Sequence, residues 1–291
     1  MTGHERSDDL RRRLKAKESI LMPGVWDPLS ALIVQQTGFS TAFVSGFAVS
    51  GTLLGRPDVG YLTQTEMAEV AQRVCASVPH LNLVVDADTG YGDPMTVRRT
   101  VELWEQAGAA GLFLEDQVWP KRCGHMDGKQ VVEREDWLAK LRAACDHREH
   151  LHVTARTDAR AAVSLSEAIE RAKMARDCGV DALFVEAPQS MAEMEIIANA
   201  LPDITLVANM VEKGKTPLLT PAELADLGFR LIVSPLSLLL ASTQAMIRSA
   251  QRLADSGTLR EHLSEIAPFD AFTDLVGLPE HIANEQQYRR Q

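Results

Sequence analysis

Eight short, strand-like apolar runs recur along the chain, at residues 19–22, 41–45, 82–86, 111–115, 151–155, 182–186, 205–209 and 230–234. Their starts lie 22, 41, 29, 40, 31, 23 and 25 residues apart, and most gaps carry a helical pattern, as at 66–76, 97–106, 134–145 and 165–177. Strands alternating with helices in this way build βα units and a parallel sheet. Runs such as Leu83-Val84-Val85 and Leu183-Phe184-Val185 are apolar on successive residues, so both faces of their strands must be covered. Eight such units close into a (β/α)8 barrel, the expected fold, with a doubly wound open sheet as the alternative. Gly38, Gly108, Gly111, Gly179 and Gly228 fall at helix-to-strand joins, where a left-handed residue ends a helix.

With 291 residues, 45% hydrophobic and 24% charged, the chain suits one barrel domain over residues 1–291. A long apolar-rich helix at 236–257 and the residues up to 291 exceed what a closed barrel requires, and are expected as a C-terminal helical extension. The net charge of -10 and pI near 5.3 exclude a nucleic-acid footprint. Arg11 to Lys15 reads as a solvated helix face. No apolar run approaches the roughly 20 residues of a membrane span, and the polar opening lacks a secretory core, so a cytoplasmic protein without membrane partners is expected. The four cysteines, Cys75, Cys123, Cys145 and Cys178, form no Cys-x-x-Cys pair, which argues against a zinc site or disulfide framework. Cys75, Cys145 and Cys178 read as buried small residues.

In a (β/α)8 barrel, catalytic groups sit at the carboxyl ends of the strands. Those ends offer Trp26 and Asp27, Ser45 and Gly46, Asp86 and Asp88, Glu115 and Asp116, Arg156 and Asp158, Glu186, Asn209, and Ser234 with Pro235. Asp86 and Asp88 are two apart, so as strand residues they share a face, and Glu115 on the next strand converges on them. Three carboxylates at one mouth repel unless a cation joins them, and an all-oxygen set suits Mg²⁺ or Mn²⁺. Any one of these acids alone reads as a helix cap or solvated charge. Asp58, beside Pro57, reads equally as a turn residue and as an orienter of metal-bound water. Arg156 emerges from an apolar strand, which is costly unless it is paired; it grips a substrate carboxylate, pairs with Asp158 or Glu186, or does both. The loop at 117–129 carries Lys121, Arg122, Cys123, Gly124 and His125, and a cysteine among cations is one whose thiolate is favoured. Gly214-Lys215-Thr216 lacks the upstream glycine of a phosphate loop. His152 reads as a core histidine, and Trp104 and Trp137 as packing residues.

Four motifs in order, Asp86-Ala87-Asp88-Thr89-Gly90-Tyr91-Gly92, Glu115-Asp116-Gln117, Lys121-Arg122-Cys123-Gly124-His125 and Ala155-Arg156-Thr157-Asp158-Ala159, resemble the isocitrate lyase/phosphoenolpyruvate mutase superfamily over nearly the whole chain. The Lys-Arg-Cys-Gly-His element resembles its lyase branch; the mutases carry Asn where Cys123 stands. The resemblance implies a (β/α)8 barrel and a homotetramer, or a dimer, with exchanged terminal helices. It implies Mg²⁺, with Mn²⁺ as a substitute, at Asp86, Asp88 and Glu115, directly or through water, and Asp58 one layer out. Ser45 and Gly46 would bind the α-carboxylate of a small dicarboxylate substrate, with Phe47 alongside. Arg156, Glu186 and Asn209 would complete the pocket, and Gly124 and His125 would close over the substrate on a mobile loop.

The implied reaction is Mg²⁺-dependent cleavage of the C2–C3 bond of a 2-hydroxy dicarboxylate into a 2-oxo acid such as pyruvate and a second acid. Cys123 would protonate the departing enolate-like dianion, while Lys121, a carboxylate or metal-bound water takes the hydroxyl proton. Members that cleave methylisocitrate place arginines where this chain has Leu240 and Phe269, so two partners of a third carboxylate are missing. The Met126-Asp127-Gly128 segment resembles the branch that handles dimethylmalate or oxaloacetate. A substituted malate such as 2,3-dimethylmalate is the expected substrate. Alternatives are 2-methylisocitrate cleavage, oxaloacetate hydrolysis and, most remotely, a non-catalytic ligand-binding barrel.

Overall fold

Eight parallel strands pair in sequence order and the last pairs with the first, closing the expected barrel: β1 (Ile20–Val25), β2 (Thr41–Val44), β3 (Asn82–Asp86), β4 (Gly111–Glu115), β5 (His152–Thr157), β6 (Ala182–Val185), β7 (Thr205–Asn209) and β8 (Phe229–Ser234). The computed structural model describes residues 1–124 and 128–289. β1 runs three residues past the expected 19–22 because Pro23 and Gly24 continue it. A Cβ on Gly24 would lie 2.0 Å from the Pro235 carbonyl oxygen, so only glycine lets the chain after β8 approach this closely. Gly38, Gly108, Gly179 and Gly228 do end helices with positive φ. Gly111 does not; a Cβ there would meet the His152 carbonyl of β5 at 2.6 Å, so close strand approach is its reason.

The apolar cluster inside the barrel draws on seven of the eight strands, with Met22, Phe43, Val84, Phe113, Phe184, Val207 and Leu231 among its members. Leu10 and Leu14 of the first helix, Gly3–Lys15, join this interior cluster and close the base of the barrel. Each contributes about 2 kcal/mol by leaving water. The same helix is anchored by Arg6, which donates to the carbonyls of Gly108, Cys75 and Val78 at 2.8–3.0 Å, and by Ser7, which donates to Ala110 at 2.7 Å. Arg11 departs from the expected solvated face. It pairs with Asp181 at 3.0 Å, and Asp181 also binds Arg148 and accepts from the Val153 N–H.

Chain contacts divide the protein into two compact units, Met1–Leu238 and Leu239–Gln291. The second contains most of the long Ser237–Ser256 helix, a short turn of helix at Arg260–Glu265, and the helices Phe269–Leu275 and Leu278–Arg289. Arg252 and Glu265 tie it together at 2.8 Å, while Met246, Ile247, Phe269 and Tyr288 are exposed. Among the described residues no helix is long and apolar enough to cross a membrane.

His152 sits fully buried in β5, as a core histidine should, and burial pushes its imidazole down to about 4 from 6.5. The unfolded chain therefore binds a proton first as pH falls through 6.5, and stability is lost from there down to about pH 4. His152→Gln should flatten that slope by up to about 3 kcal/mol, read from urea midpoints at pH 7 and pH 4.5. Equal slopes in both proteins would contradict the buried neutral imidazole.

Candidate active site

Asp86 ends β3, but Asp88 lies past the strand with φ +44°, a left-handed conformation that aspartate tolerates better than most residues. Strand alternation therefore does not bring the two acids together; the turn does. Asp86 Oδ1 accepts from the Asp88 N–H at 3.3 Å, and its Oδ2 accepts from the Gly46 N–H at 3.3 Å. Gly46 is glycine for a local reason, since a Cβ would stand 2.8 Å from Asp86 Oδ2. Its N–H, expected to meet a substrate carboxylate, is directed to Asp86 in this arrangement. Ser45 caps the short Gly46–Val49 helix, accepting from the Ala48 N–H at 3.4 Å.

After β4 the chain leaves the barrel and returns as two paired limbs. Val118 donates to the Gln130 carbonyl at 2.9 Å, Val132 donates to Asp116, and Gln117 faces Val131. Gln117 also grips the turn from inside, donating to the Arg122 carbonyl at 2.8 Å and accepting from its N–H at 2.9 Å. This frame drops Lys121 into the mouth, where its ammonium lies 2.6 Å from Asp58 and 2.7 Å from Asp88. Burial opposes the charge on Lys121, but Asp88 and Asp58 hold it well above the ordinary lysine value. Without a metal, the two carboxylates on either side favour the ammonium form of Lys121. Burial pushes Asp88 up to about 7 against the pull of Lys121, with Asp86 and Asp58 adding to the rise.

Arg156 meets three acids. Its Nε and Nη2 fork onto Asp158 at 2.9 and 3.2 Å, Nη1 lies 3.3 Å from Glu115, and Nη2 lies 3.4 Å from Glu186. The β4–β5 register sets Glu115 opposite Arg156. Burial works against the Asp158 charge, yet Arg156 and Lys129 bring its carboxyl down to about 2. Asn209 donates to Glu186 at 3.2 Å, and the Arg156 guanidinium stands 5.4 Å over the Phe184 ring. Asp116 turns away from the mouth, accepting from Thr157 at 2.7 Å and from the Asp158 N–H at 2.8 Å; Asp27 is a helix cap.

One cavity gathers Ser45, Phe47, Asp58, Asp86, Lys121, Cys123, Gly124, Arg156, Glu186 and Asn209 from the expected set. Its remaining walls are Phe43, Phe113, Arg122, Phe184, Val211, Val233, Pro235 and Leu236. Asp88 and Glu115 touch Lys121 and Arg156 without lining the cavity themselves. His125, expected to close over the substrate, lies outside the described residues. The apolar walls Val211 and Leu236 and the buried Lys129 went unnoticed in the sequence.

Among the described residues, the one group of three metal-binding side chains with donor atoms within 4.8 Å of one another is Glu105, Glu149 and His150, away from the mouth. Glu105 there is already spent on the N–H groups of Glu149, His150 and Leu151. Asp86, Asp88 and Glu115 thus stand wider apart than direct coordination by all three would need. A hard cation that keeps several waters and takes one or two carboxylates directly still fits them. Among the described residues, buried Glu115 Oε1 has no hydrogen-bond partner, and burial raises the Glu115 carboxyl well above its usual range. Such an acid gains from a nearby positive charge.

Residues 10–254 match the phosphoenolpyruvate phosphomutase family. The chain belongs to this family. It is 46% identical over 282 residues to the chloroplastic carboxyvinyl-carboxyphosphonate phosphorylmutase of Arabidopsis thaliana, covering 95% of this chain and 83% of that one. It is 38% identical over 283 residues to 2,3-dimethylmalate lyase of Eubacterium barkeri, covering 96% of each. A solved phosphonopyruvate hydrolase in complex with oxalate and Mg²⁺ matches with a TM-score of 0.87 at 25% identity, over 99% of each chain. The superfamily resemblance carried by the four motifs therefore holds, and its lyase relatives make this phosphoenolpyruvate phosphomutase family member a carbon–carbon lyase.

Removing the Lys121 ammonium leaves Asp58 and Asp88 facing each other in a buried mouth. Lys121→Met should destabilise the metal-free protein by about 3 kcal/mol, seen as a lower urea midpoint. A loss below 1 kcal/mol would mean that the acids are solvated and the ion pair adds little.

Proposed function

We propose that this protein cleaves the C2–C3 bond of a small 2-hydroxy dicarboxylate of the substituted-malate type, such as 2,3-dimethylmalate, releasing a 2-oxo acid such as pyruvate. The observation that carries this reading is that Cys123 lines the same cavity as Asp86, Asp58 and Arg156. A thiol sharing a cavity with carboxylates and a guanidinium suits delivery of a proton to a carbanion formed next to bound acid groups.

The residues divide the work. Asp86, Asp88 and Glu115 would hold Mg²⁺, directly or through water, with Asp58 one layer out. Bound there, the ion supplies positive charge to the substrate's hydroxyl and neighbouring carboxylate. Arg156 orients a substrate carboxylate while Asp158 fixes its fork, and Ser45, Glu186 and Asn209 complete the polar wall. As a carboxylate of the mouth takes the C2 hydroxyl proton and the C2–O bond becomes a carbonyl, the C2–C3 electron pair stays on C3, and Cys123 transfers its proton there. Lys121 remains charged and offsets the acids around it.

Phe47, Val211, Pro235 and Leu236 give the cavity apolar walls, which support alkyl substituents on the substrate. Leu240 and Phe269, which stand where a tricarboxylate reader would need arginines, are 45% and 84% exposed and belong to the Leu239–Gln291 unit. The exposed apolar side chains of that unit support a homotetramer, or a dimer, with exchanged helices.

Pyruvate should appear when the protein and Mg²⁺ are given 2,3-dimethylmalate, and less from 2-methylisocitrate or malate. Oxalate from oxaloacetate, with no pyruvate from any of the three, would overturn the lyase substrate. Cys123→Ser should lower kcat by about 10²–10⁴; undiminished turnover would remove Cys123 as the acid. Asp86→Ala should abolish Mg²⁺-dependent thermal stabilisation, and unchanged Mg²⁺ affinity would remove the metal site.

A further inference from the structure

Lys129 is buried to a degree unusual for a lysine, its side chain only 1% exposed, on the returning limb of the β4 loop. A compact, strongly hydrated ammonium is costly to bury and persists where its donors are matched. One donor reaches Asp158 Oδ1 at 2.7 Å and another the carbonyl of Gly124. Asp158 is completely buried, and the oxygen that accepts from Lys129 also accepts from Arg156 Nη2 at 3.2 Å. Gly124 closes the circuit from the other side. A Cβ there would come within 2.6 Å of both Arg156 Nη2 and Glu186 Oε2, so its backbone lies directly against the Arg156–Glu186 pair.

Two parts of the site come from distant stretches of chain: Cys123 with Gly124 from the β4 loop, and Arg156 from β5. Contact between Gly124 and Arg156 sets their distance but not their rotation. We propose that Lys129 is a positioning residue: shared between the Gly124 carbonyl and Asp158, its ammonium fixes the register of Cys123 and Gly124 against Arg156. It lines no part of the cavity that holds Cys123. This inference rests on the reading of Cys123 and Arg156 as parts of one site, yet its effect is measurable without turnover.

The experiment follows Cys123 alkylation by iodoacetamide, site by site with mass spectrometry, in the metal-free full chain, together with oxalate binding in the presence of Mg²⁺. Lys129→Met, which keeps length and removes charge, should speed Cys123 alkylation at least fivefold and weaken oxalate at least tenfold. Lys129→Arg should bring both back to within threefold of the parent protein. A purely structural lysine would lower the melting temperature of Lys129→Met and leave Cys123 reactivity within twofold, and that result overturns the proposal. Should Lys129→Met not fold, Lys129→Gln is read by the same two criteria. If the parent releases no pyruvate, the substrate reading falls, while the alkylation rates of the two proteins still decide the role of Lys129.

Discussion

Charge balance at the barrel mouth is the constraint on which the rest of the site depends. Asp58, Asp86, Asp88, Glu115, Asp158 and Glu186 crowd into a region where Lys121, Lys129 and Arg156 are the buried or nearly buried cations. Carboxylates taken out of water cannot all stay ionised without partners. The chain answers by pairing Lys121 with two acids, Arg156 with three and Lys129 with one, so Asp88 and Glu115, proposed with Asp86 to face Mg²⁺, each share a cation with other acids. A mouth built this way carries a negative surplus, which favours the positive charge of the proposed Mg²⁺.

The barrel makes this concentration possible because parallel strands end together. β3, β4 and β5 deliver Asp86, Glu115 and Arg156 to one rim, and the register Glu115 opposite Arg156 follows from the ladder itself. Beneath the rim, Phe113 packs tilted against Phe43 at 4.9 Å and edge-on against Phe184 at 5.7 Å, and the three form an apolar floor. Low polarity below and paired charges above strengthen each contact that Arg156 makes. The loop after β4 then brings in what no strand offers, a thiol and two lysines.

Much of this was legible in the sequence. The period of βα units, with Gly108 and Gly179 at helix ends, yields the closed barrel because apolar runs and turn glycines report local backbone needs directly. The Asp-x-Asp, Lys-Arg-Cys-Gly-His and Arg-x-Asp segments point to the acids, the thiol and the guanidinium that do share one mouth. What stayed hidden depends on geometry beyond the strand. Asp88 escapes the alternation rule by turning left-handed, and Gly46 spends its N–H on Asp86. Lys121 reads as a candidate base, with no sign that Asp58 and Asp88 stand on either side of it. Lys129 and Leu236 gave little warning, because an isolated lysine or leucine carries no sign of which distant residue it will meet.

The cork at the far end of the barrel, made by Leu10 and Leu14, bears on chemistry at the mouth. A barrel interior open to solvent at its base would admit water under the phenylalanine floor, and the effective dielectric beneath Arg156 would rise. The first helix therefore works at a distance: Leu10 and Leu14 complete the apolar packing beneath ion pairs that they never touch. Truncating Leu10 or Leu14 would then weaken the contacts of Arg156 while leaving every residue around it in place.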